Sequence, residues 1–371
     1  MRTCGIIAEY NPFHNGHVRQ IRMTKEITGC DCIIVVMSGN FVQRGEPALI
    51  DKWKRAECAV RNGADVVIEL PYVYATQAAT GFAHGGVSLL KEAGVDFISF
   101  GSECGNLSNL QEIADTPVNP DHLRQSLSSG MSFPKAYSLL TAEMEPNDIL
   151  AVCYLKELKG TGIQPVVIQR DSGYLDEKLE DHASAYAIRN ALKQHKDVSG
   201  TTPMAETLAE SEPVWPEQFY PYFRTFMEMS SSEDLSHLFL FNEGIENHLK
   251  KQAEKESTYQ GFLNHAITYR YTAGRIRRCM LSAMMQLKKD EVRNLPPCHT
   301  LRVLAFNDTG RQWLHEQRTK EVNIASKFAA VPEPWRRIEY RSTLLYTSVL
   351  SEKERKRLLD LEIRGARYIR F

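Results

Sequence analysis

The segment Gly5–His17, GIIAEYNPFHNGH, decides how this chain is read. Its first half is an apolar run ending near Glu9, as a buried strand does. A turn containing Asn11 and Pro12 follows, and the pattern predicts a helix that begins near Asn15 or Gly16. Strand, short turn and helix in that order set the helix start beside the carboxyl end of the strand, where open α/β sheets bind nucleotides. A helix N-terminus presents unpaired N–H groups and a positive dipole end to phosphate. Gly16 lacks a side chain, so a ligand can approach the backbone there. His14 and His17, three residues apart, lie on neighbouring helix faces. Two imidazoles aimed at one phosphate stabilise the charge that builds on it during nucleotidyl transfer. The same spacing suits a metal, but Glu9 is the one conventional third ligand nearby, and no resident metal is expected.

Outward from this segment, strand and helix signals alternate. Strands are predicted at Thr3–Ala8, Asp31–Met37 (DCIIVVM), Asp65–Leu70 (DVVIEL), Asp96–Phe100 (DFISF) and Gln164–Ile168, and helices near His17–Thr28, Leu49–Asn62 and Gly81–Ala93. Strands that read as continuous apolar runs between helices imply a parallel sheet covered on both faces. Residues 196–216 carry three prolines and no clear period, and are read as a linker or boundary. The expected organisation is an α/β parallel-sheet domain over 1–195 and a mainly helical domain over 217–371, with Leu301–Phe306 (LRVLAF) as one strand in the latter.

Composition bounds the rest. The 371 residues are 43% hydrophobic and 25% charged, ordinary for a globular chain able to bury a large core. Lys and Arg number 45 against 46 Asp and Glu, so any nucleic acid must be held by a local basic patch. No apolar run approaches the roughly 20 residues that span a bilayer, and Met1–Tyr10 does not read as a signal peptide. The eight cysteines are scattered, and Cys30-Asp31-Cys32 suits neither a redox CxxC nor a zinc knuckle. On a strand that pair shares one face as small core groups. Reduced thiols and a cytoplasmic location are expected, with no membrane partner.

Two further constellations bear on chemistry. In Asp181–Arg189, DHASAYAIR, Ser184 is placed to cap a helix, and Arg189 lies just over one turn further on as a fork donor for phosphate. Alone this is an ordinary capped helix; beside HNGH it reads as a phosphate site. Arg270, Arg275, Arg277 and Arg278, with Tyr269 and Tyr271 between them, form the densest basic cluster. Such a cluster is either a solvated helix face or a surface that binds RNA phosphates and stacks bases. Lys353–Arg357 and Arg364–Arg370 extend it.

The HNGH tetrad at 14–17 resembles the HIGH motif of the nucleotidyltransferase superfamily, and SAYAIR is similar to its second, Ser/Thr-containing motif. EYNPFHNGH, SGNFVQRGEPA (Ser38–Ala48), GADVVIELP (Gly63–Pro71) and RYTAGRIRR (Arg270–Arg278) together resemble the tRNA(Met) cytidine acetate ligases, over nearly the whole chain. Gly173–Asp176 reads GYLD where that family has GYHD. The resemblance implies a Rossmann-like nucleotidyltransferase domain followed by a helical tRNA-binding part. It implies that ATP, accompanied by Mg²⁺, activates acetate as acetyl-adenylate. The acetyl group then passes to the wobble cytidine in the anticodon region of elongator methionine tRNA.

Carried onto these positions, the resemblance makes His14 and His17 catalytic. Ile7, Ala8, Glu9, Tyr10, Asn11, Pro12, Phe13, Asn15, Gly16 and Gln20 complete the main ATP segment, joined by Gly101, Asn147, Arg170, Ser184 and Arg189. Ser38, Gly39, Asn40, Gln43 and Arg44 border the acetate or the incoming cytidine, and Arg270, Arg275, Arg277 and Arg278 hold tRNA. Two other readings compete: an adenylyltransferase acting on a small phosphate-containing cofactor precursor, and a non-enzymatic RNA binder. The long Arg-clustered second half weighs against the first. The joint presence of HNGH and SAYAIR weighs against the second.

Overall fold

The computed structural model describes residues 1–117, 144–170, 179 and 181–371; Gly173–Asp176 lies outside them. The first half is β1 (Thr3–Ala8), α1 (Asn15–Thr28), β2 (Cys32–Ser38), α2 (Lys52–Arg61), β3 (Val66–Leu70), α3 (Tyr72–Ala75), α4 (Ala79–Glu92), β4 (Phe97–Ser102), α5 (Leu107–Asp115), α6 (Pro146–Leu158), β5 (Gln164–Gln169) and α7 (Ala185–Lys193). The sheet is mixed but mostly parallel, with order β5-β4-β1-β2-β3 followed by β6 (Leu301–Phe306) and β7 (Ile324–Ala325); β8 (Arg367–Tyr368) also pairs with β6. The chain runs outward from β1 through β2 to β3, then returns to place β4 on the other side of β1. That reversal opens a crevice above the carboxyl ends of β1 and β4, the ligand site of open α/β sheets.

Alternation of side chains along each strand feeds two core layers. Ile33, Val35 and Met37 of β2 join Ile21 of α1 and Trp53 of α2 on one face. Cys32, Ile34 and Val36 join Phe82 of α4 and Leu155 of α6 on the other. The expected shared face for Cys30 and Cys32 is not found. Cys30 precedes β2, after the left-handed cap at Gly29, and packs in the first layer while Cys32 packs in the second. A residue outside the strand is not bound by its alternation.

The strand in the last third returns to the first sheet. β6 lies antiparallel against β3, with Val66 opposite Phe306 and Val67 opposite Ala305. Residues Tyr220–Ala283 meanwhile build a third core of their own around Phe223, Phe262 and Ile276. Residues 196–216 are tied down: Val198, Met204, Leu208 and Val214 are buried in the first layer, and Thr202 Oγ1 donates to the Phe13 carbonyl at 2.6 Å.

Candidate active site

β1 ends in a turn that is held from three sides. Tyr10 takes φ 49°, a left-handed conformation that costs a non-glycine residue about 1–2 kcal/mol. Its ring packs edge-on against Phe13 and His17, each at 4.7 Å between centroids, which holds the turn. Asn11 follows, joined to Pro12 by a cis peptide. The Asn11 side-chain oxygen accepts from Leu49 N–H at 2.7 Å, and its carbonyl accepts from Arg189 Nη1 at 2.7 Å.

α1 then starts at Asn15 with His14 as its cap. His14 Nδ1 accepts from Gly16 N–H at 3.1 Å, and His17 Nδ1 accepts from His14 N–H at 3.2 Å. The two rings lie 3.7 Å apart, tilted by 32°. Burial, with lesser repulsion from Arg170, His182 and Arg189, pushes the His14 imidazolium pKa down to about 3. Burial and the neighbouring His14 hold His17 well below its ordinary value too. Both imidazoles are therefore neutral near pH 7. Because each Nδ1 accepts a backbone N–H, the ring proton sits on Nε2 in both. Neutral rings with fixed tautomers present N–H donors and bring no positive charge.

The cleft above them spans about 1020 Å³, counting the space open to solvent at its mouth. Of the residues predicted for ATP, Ile7, Ala8, Glu9, Tyr10, Asn11, His14, His17, Gln20, Gly101, Asn147, Arg170, Ser184 and Arg189 line it. Arg44, Arg170 and Arg189 bring three guanidiniums to its wall. Ser184 caps α7 by accepting from Ala187 N–H at 3.0 Å, so that helix start also faces the cleft. Glu103 seats Asn147 by accepting from its side-chain amide, and accepts from Asp148 N–H at 3.1 Å, capping α6 from the loop after β4. Desolvation at the half-buried Glu9 raises its pKa; the Gln43 N–H at 2.8 Å and the Arg44 and Arg189 charges oppose that rise.

Four of the predicted ATP residues stand off the cleft wall. Pro12 belongs to the cis turn, and Phe13 is wholly buried in the core. Asn15 spends its amide on Asp181 at 2.8 Å and the Gly200 carbonyl at 3.0 Å. Gly16 faces a smaller adjoining recess of about 400 Å³ with both histidines. A Cβ on Gly16 falls 2.9 Å from His14 Cε1. Gly16→Ala is therefore expected to keep α1 helical, since alanine favours a helix, while turning the His14 ring. The expected cost to any reaction that uses the two imidazoles is about 10–100-fold with an unchanged far-ultraviolet spectrum, because misplacement by about 1 Å is enough for that.

The loop 38–48 divides. Gln43 and Arg44 line the cleft. Ser38, Gly39 and Asn40 do not: the Ser38 and Gly39 carbonyls accept from buried Arg55, and Asn40 donates to Thr343 Oγ1 at 2.8 Å. They hold the loop from behind, because continued pairing of β2 keeps Ser38 inside the sheet layer. The arginine cluster divides as well, since successive residues of a helix point in different directions. Arg270 is exposed. Arg275 pairs with Glu243 at 3.0 Å, and Arg277 pairs with Glu46 at 2.7 Å. Arg278 turns inward, donates to the Gln43 carbonyl at 3.2 Å, and has its pKa pushed down to about 10 by burial. Its backbone N lies 2.5 Å from where a Cβ on Gly45 (φ 76°) would sit, so the loop is clamped to helix Ala273–Met284.

Two features escaped the sequence reading. Phe82, Phe100, Leu150, Tyr154 and Tyr186 give the cleft an apolar side suited to a flat base, yet each resembles an ordinary core residue. Arg55, wholly buried, donates to the Glu9 carbonyl at 2.6 Å as well as to Ser38 and Gly39, pinning the ends of β1 and β2 together. Its signal was an arginine set among the core residues Trp53, Ala56 and Ala59 of α2, as Lys52 one turn earlier also is.

Residues 1–360 match the model of the HIGH nucleotidyl transferase family. A tRNA(Met) cytidine acetate ligase of Caldicellulosiruptor bescii is 36% identical over 390 residues, covering 99% of this chain and 93% of that protein. The chain belongs to the tRNA(Met) cytidine acetate ligase family. Another member, from Limosilactobacillus reuteri, is 38% identical over 328 residues, covering 85% of this chain and 87% of that protein. Crystal structures of Thermotoga maritima TmcAL superpose on this family member over 100% of both chains at 30% identity, with TM-scores of 0.91 for the apo form and 0.88 for the form bound to alpha-thio ATP. Among the described residues no helix is long and apolar enough to cross a membrane, and no group of three or more His, Cys, Asp or Glu side chains is placed to hold a metal ion.

Proposed function

We propose that this chain is an ATP-dependent ligase that activates acetate as acetyl-adenylate and transfers the acetyl group to the wobble cytidine of elongator tRNA(Met). The observation that carries the reading is the pair of neutral, tautomer-fixed imidazoles on the floor of a cleft ringed by Arg44, Arg170 and Arg189. An acetate oxygen attacks the α-phosphorus of ATP, and pyrophosphate leaves with the bonding pair. The chemistry needs alignment and stabilisation of the charge on the phosphoryl oxygens more than a strong base. The Nε2–H groups of His14 and His17 supply those donors, and the Arg170 and Arg189 guanidiniums hold the β and γ phosphates. Mg²⁺ enters with the triphosphate, bound by phosphate oxygens and water.

The apolar side with Phe100 and Tyr154 takes the adenine. Gln43 and Arg44 border the acetate, whose small size makes exclusion of larger acids the means of selection. In this reading 1–195 is the catalytic part, 196–216 a boundary packed against it, and the helices within 217–371 a tRNA-binding part. Exposed Arg270, with Arg275 and Arg277, meets the RNA backbone. The deciding experiment is ATP–pyrophosphate exchange by the purified chain, with and without acetate, repeated with bulk tRNA. Acetate-dependent exchange is the expected result. Exchange that ignores acetate in both settings overturns the reading.

A further inference from the structure

Beyond Arg189 lies a second cleft of about 1050 Å³. It shares Arg44, Tyr186 and Arg189 with the nucleotide cleft, so these side chains form a common border between the two. Its remaining walls include Glu46, Trp215, Tyr259 and Arg277. We propose that this second cleft receives the cytosine to be acetylated, with the Glu46 carboxylate accepting from its exocyclic amine. The inference rests on the ligase reading above and names the acceptor base's site within it.

Three observations support the assignment. Glu46 is fixed in place: its carbonyl accepts from Val42 N–H at 2.9 Å, and its carboxylate lies 2.7 Å from Arg277 Nη1 and 3.9 Å from Arg189 Nη2. Arg277 is itself steadied by donating from Nε to Tyr259 OH at 3.0 Å. An acceptor bordered by guanidinium donors complements cytosine, whose edge sets the N4 amine donor beside the N3 and O2 acceptors. Carboxylates accept from cytosine N4, whereas uracil presents a carbonyl oxygen there and meets repulsion. Lastly, Tyr186 and Trp215 offer half-buried aromatic surfaces, which an unpaired base stacks on, and Lys193 lies 4.7 Å over the Trp215 ring.

The N4 nitrogen forms a bond to the acetyl carbonyl carbon, and the bond from that carbon to the AMP phosphate oxygen breaks. AMP leaves with the bonding pair, and the N4 proton passes to the Glu46 carboxylate.

The test uses the full chain, radiolabelled acetate, ATP and anticodon stem-loop RNAs carrying cytidine or uridine at the wobble position. Glu46→Gln is expected to lower acetyl transfer at saturating cytidine RNA by about 10²–10³-fold, the usual contribution of a positioned proton acceptor. Trp215→Ala is expected to raise the KM for RNA by about tenfold, with Trp215→Phe restoring most of it because a ring remains. If both Glu46→Gln and Trp215→Ala transfer acetyl within about twofold of the unaltered enzyme, the assignment is wrong. Acetate-dependent exchange by the unaltered enzyme reports adenylate formation separately. Failure of the base site thus leaves that reading standing, and failure of exchange removes both.

Discussion

Replacing His14 or His17 with alanine lowers acetate-dependent pyrophosphate exchange by about 10²–10³-fold each, the cost of losing one preorganised donor to a developing negative charge. His17→Gln loses less, because an amide N–H reaches a position similar to Nε2. Affinity for tRNA stays near that of the unaltered chain, since both rings lie in the nucleotide cleft. Wild-type exchange rates in both alanine variants would remove the histidines from the mechanism. The pH dependence follows from the same burial. His14 titrates only near about 3, so protonation of the imidazoles does not lower exchange between about pH 5 and pH 8. A profile falling through the ordinary histidine range and abolished by His14→Ala would contradict this.

Stability carries the opposite signature. The unfolded chain protonates these histidines near their ordinary value while the folded chain does not, so the unfolded state binds more protons at low pH. Their contribution is fully present above that value. It is lost as pH falls through it, by up to about 1.4 kcal/mol per pH unit for each group. Denaturant midpoints measured at a series of pH values read this slope.

The largest expected effect on stability belongs to Lys52→Met. Lys52 Nζ lies 2.6 Å from Glu69 and 2.9 Å from Glu362, and Arg302 Nη1 lies 2.6 Å from Glu69 and 2.8 Å from Glu362. All four side chains are buried, and their charges alternate around a ring. The nearby Glu339 has its pKa raised to about 8, by burial first and the Glu69 charge second, so it holds its proton near neutral pH and the ring stays balanced. The ring joins α2, β3, β6 and the C-terminal helix Glu352–Ile363. Removing one cation leaves two buried carboxylates on a single arginine, which costs about 3–5 kcal/mol. The double variant Lys52→Met with Glu362→Leu removes one charge of each sign and is expected to recover much of that loss. Urea unfolding measures both, and a loss under about 1 kcal/mol for the single variant would show the ring to be dispensable.

The sheet was legible because buried parallel strands read as apolar runs, as residues 3–8, 31–37, 65–70 and 96–100 do; β5, at the sheet edge and mostly half-buried, shows only the shorter run Val166–Ile168. The turn at Glu9–Asn15 and the cap at Ser184 were legible because proline, glycine and capping side chains act on their own neighbours. What was not legible depends on partners distant in sequence. Leu301–Phe306 reads as a strand, but its place beside β3 comes from a pairing across more than two hundred residues and from the charge ring that surrounds it. The arginines of 270–278 read as one patch, yet packing sends Arg278 to the loop at Gln43, Arg277 to Glu46 and Arg270 to solvent. Ser38, Gly39 and Asn40 read as a binding loop, and the buried Arg55 and Thr343 hold them behind it. Local pattern determines which residues become strands, turns and caps, because those depend on backbone geometry and near neighbours. Which face of an arginine helix meets solvent, and which carboxylate stands between two guanidiniums, is decided only when distant elements close around them.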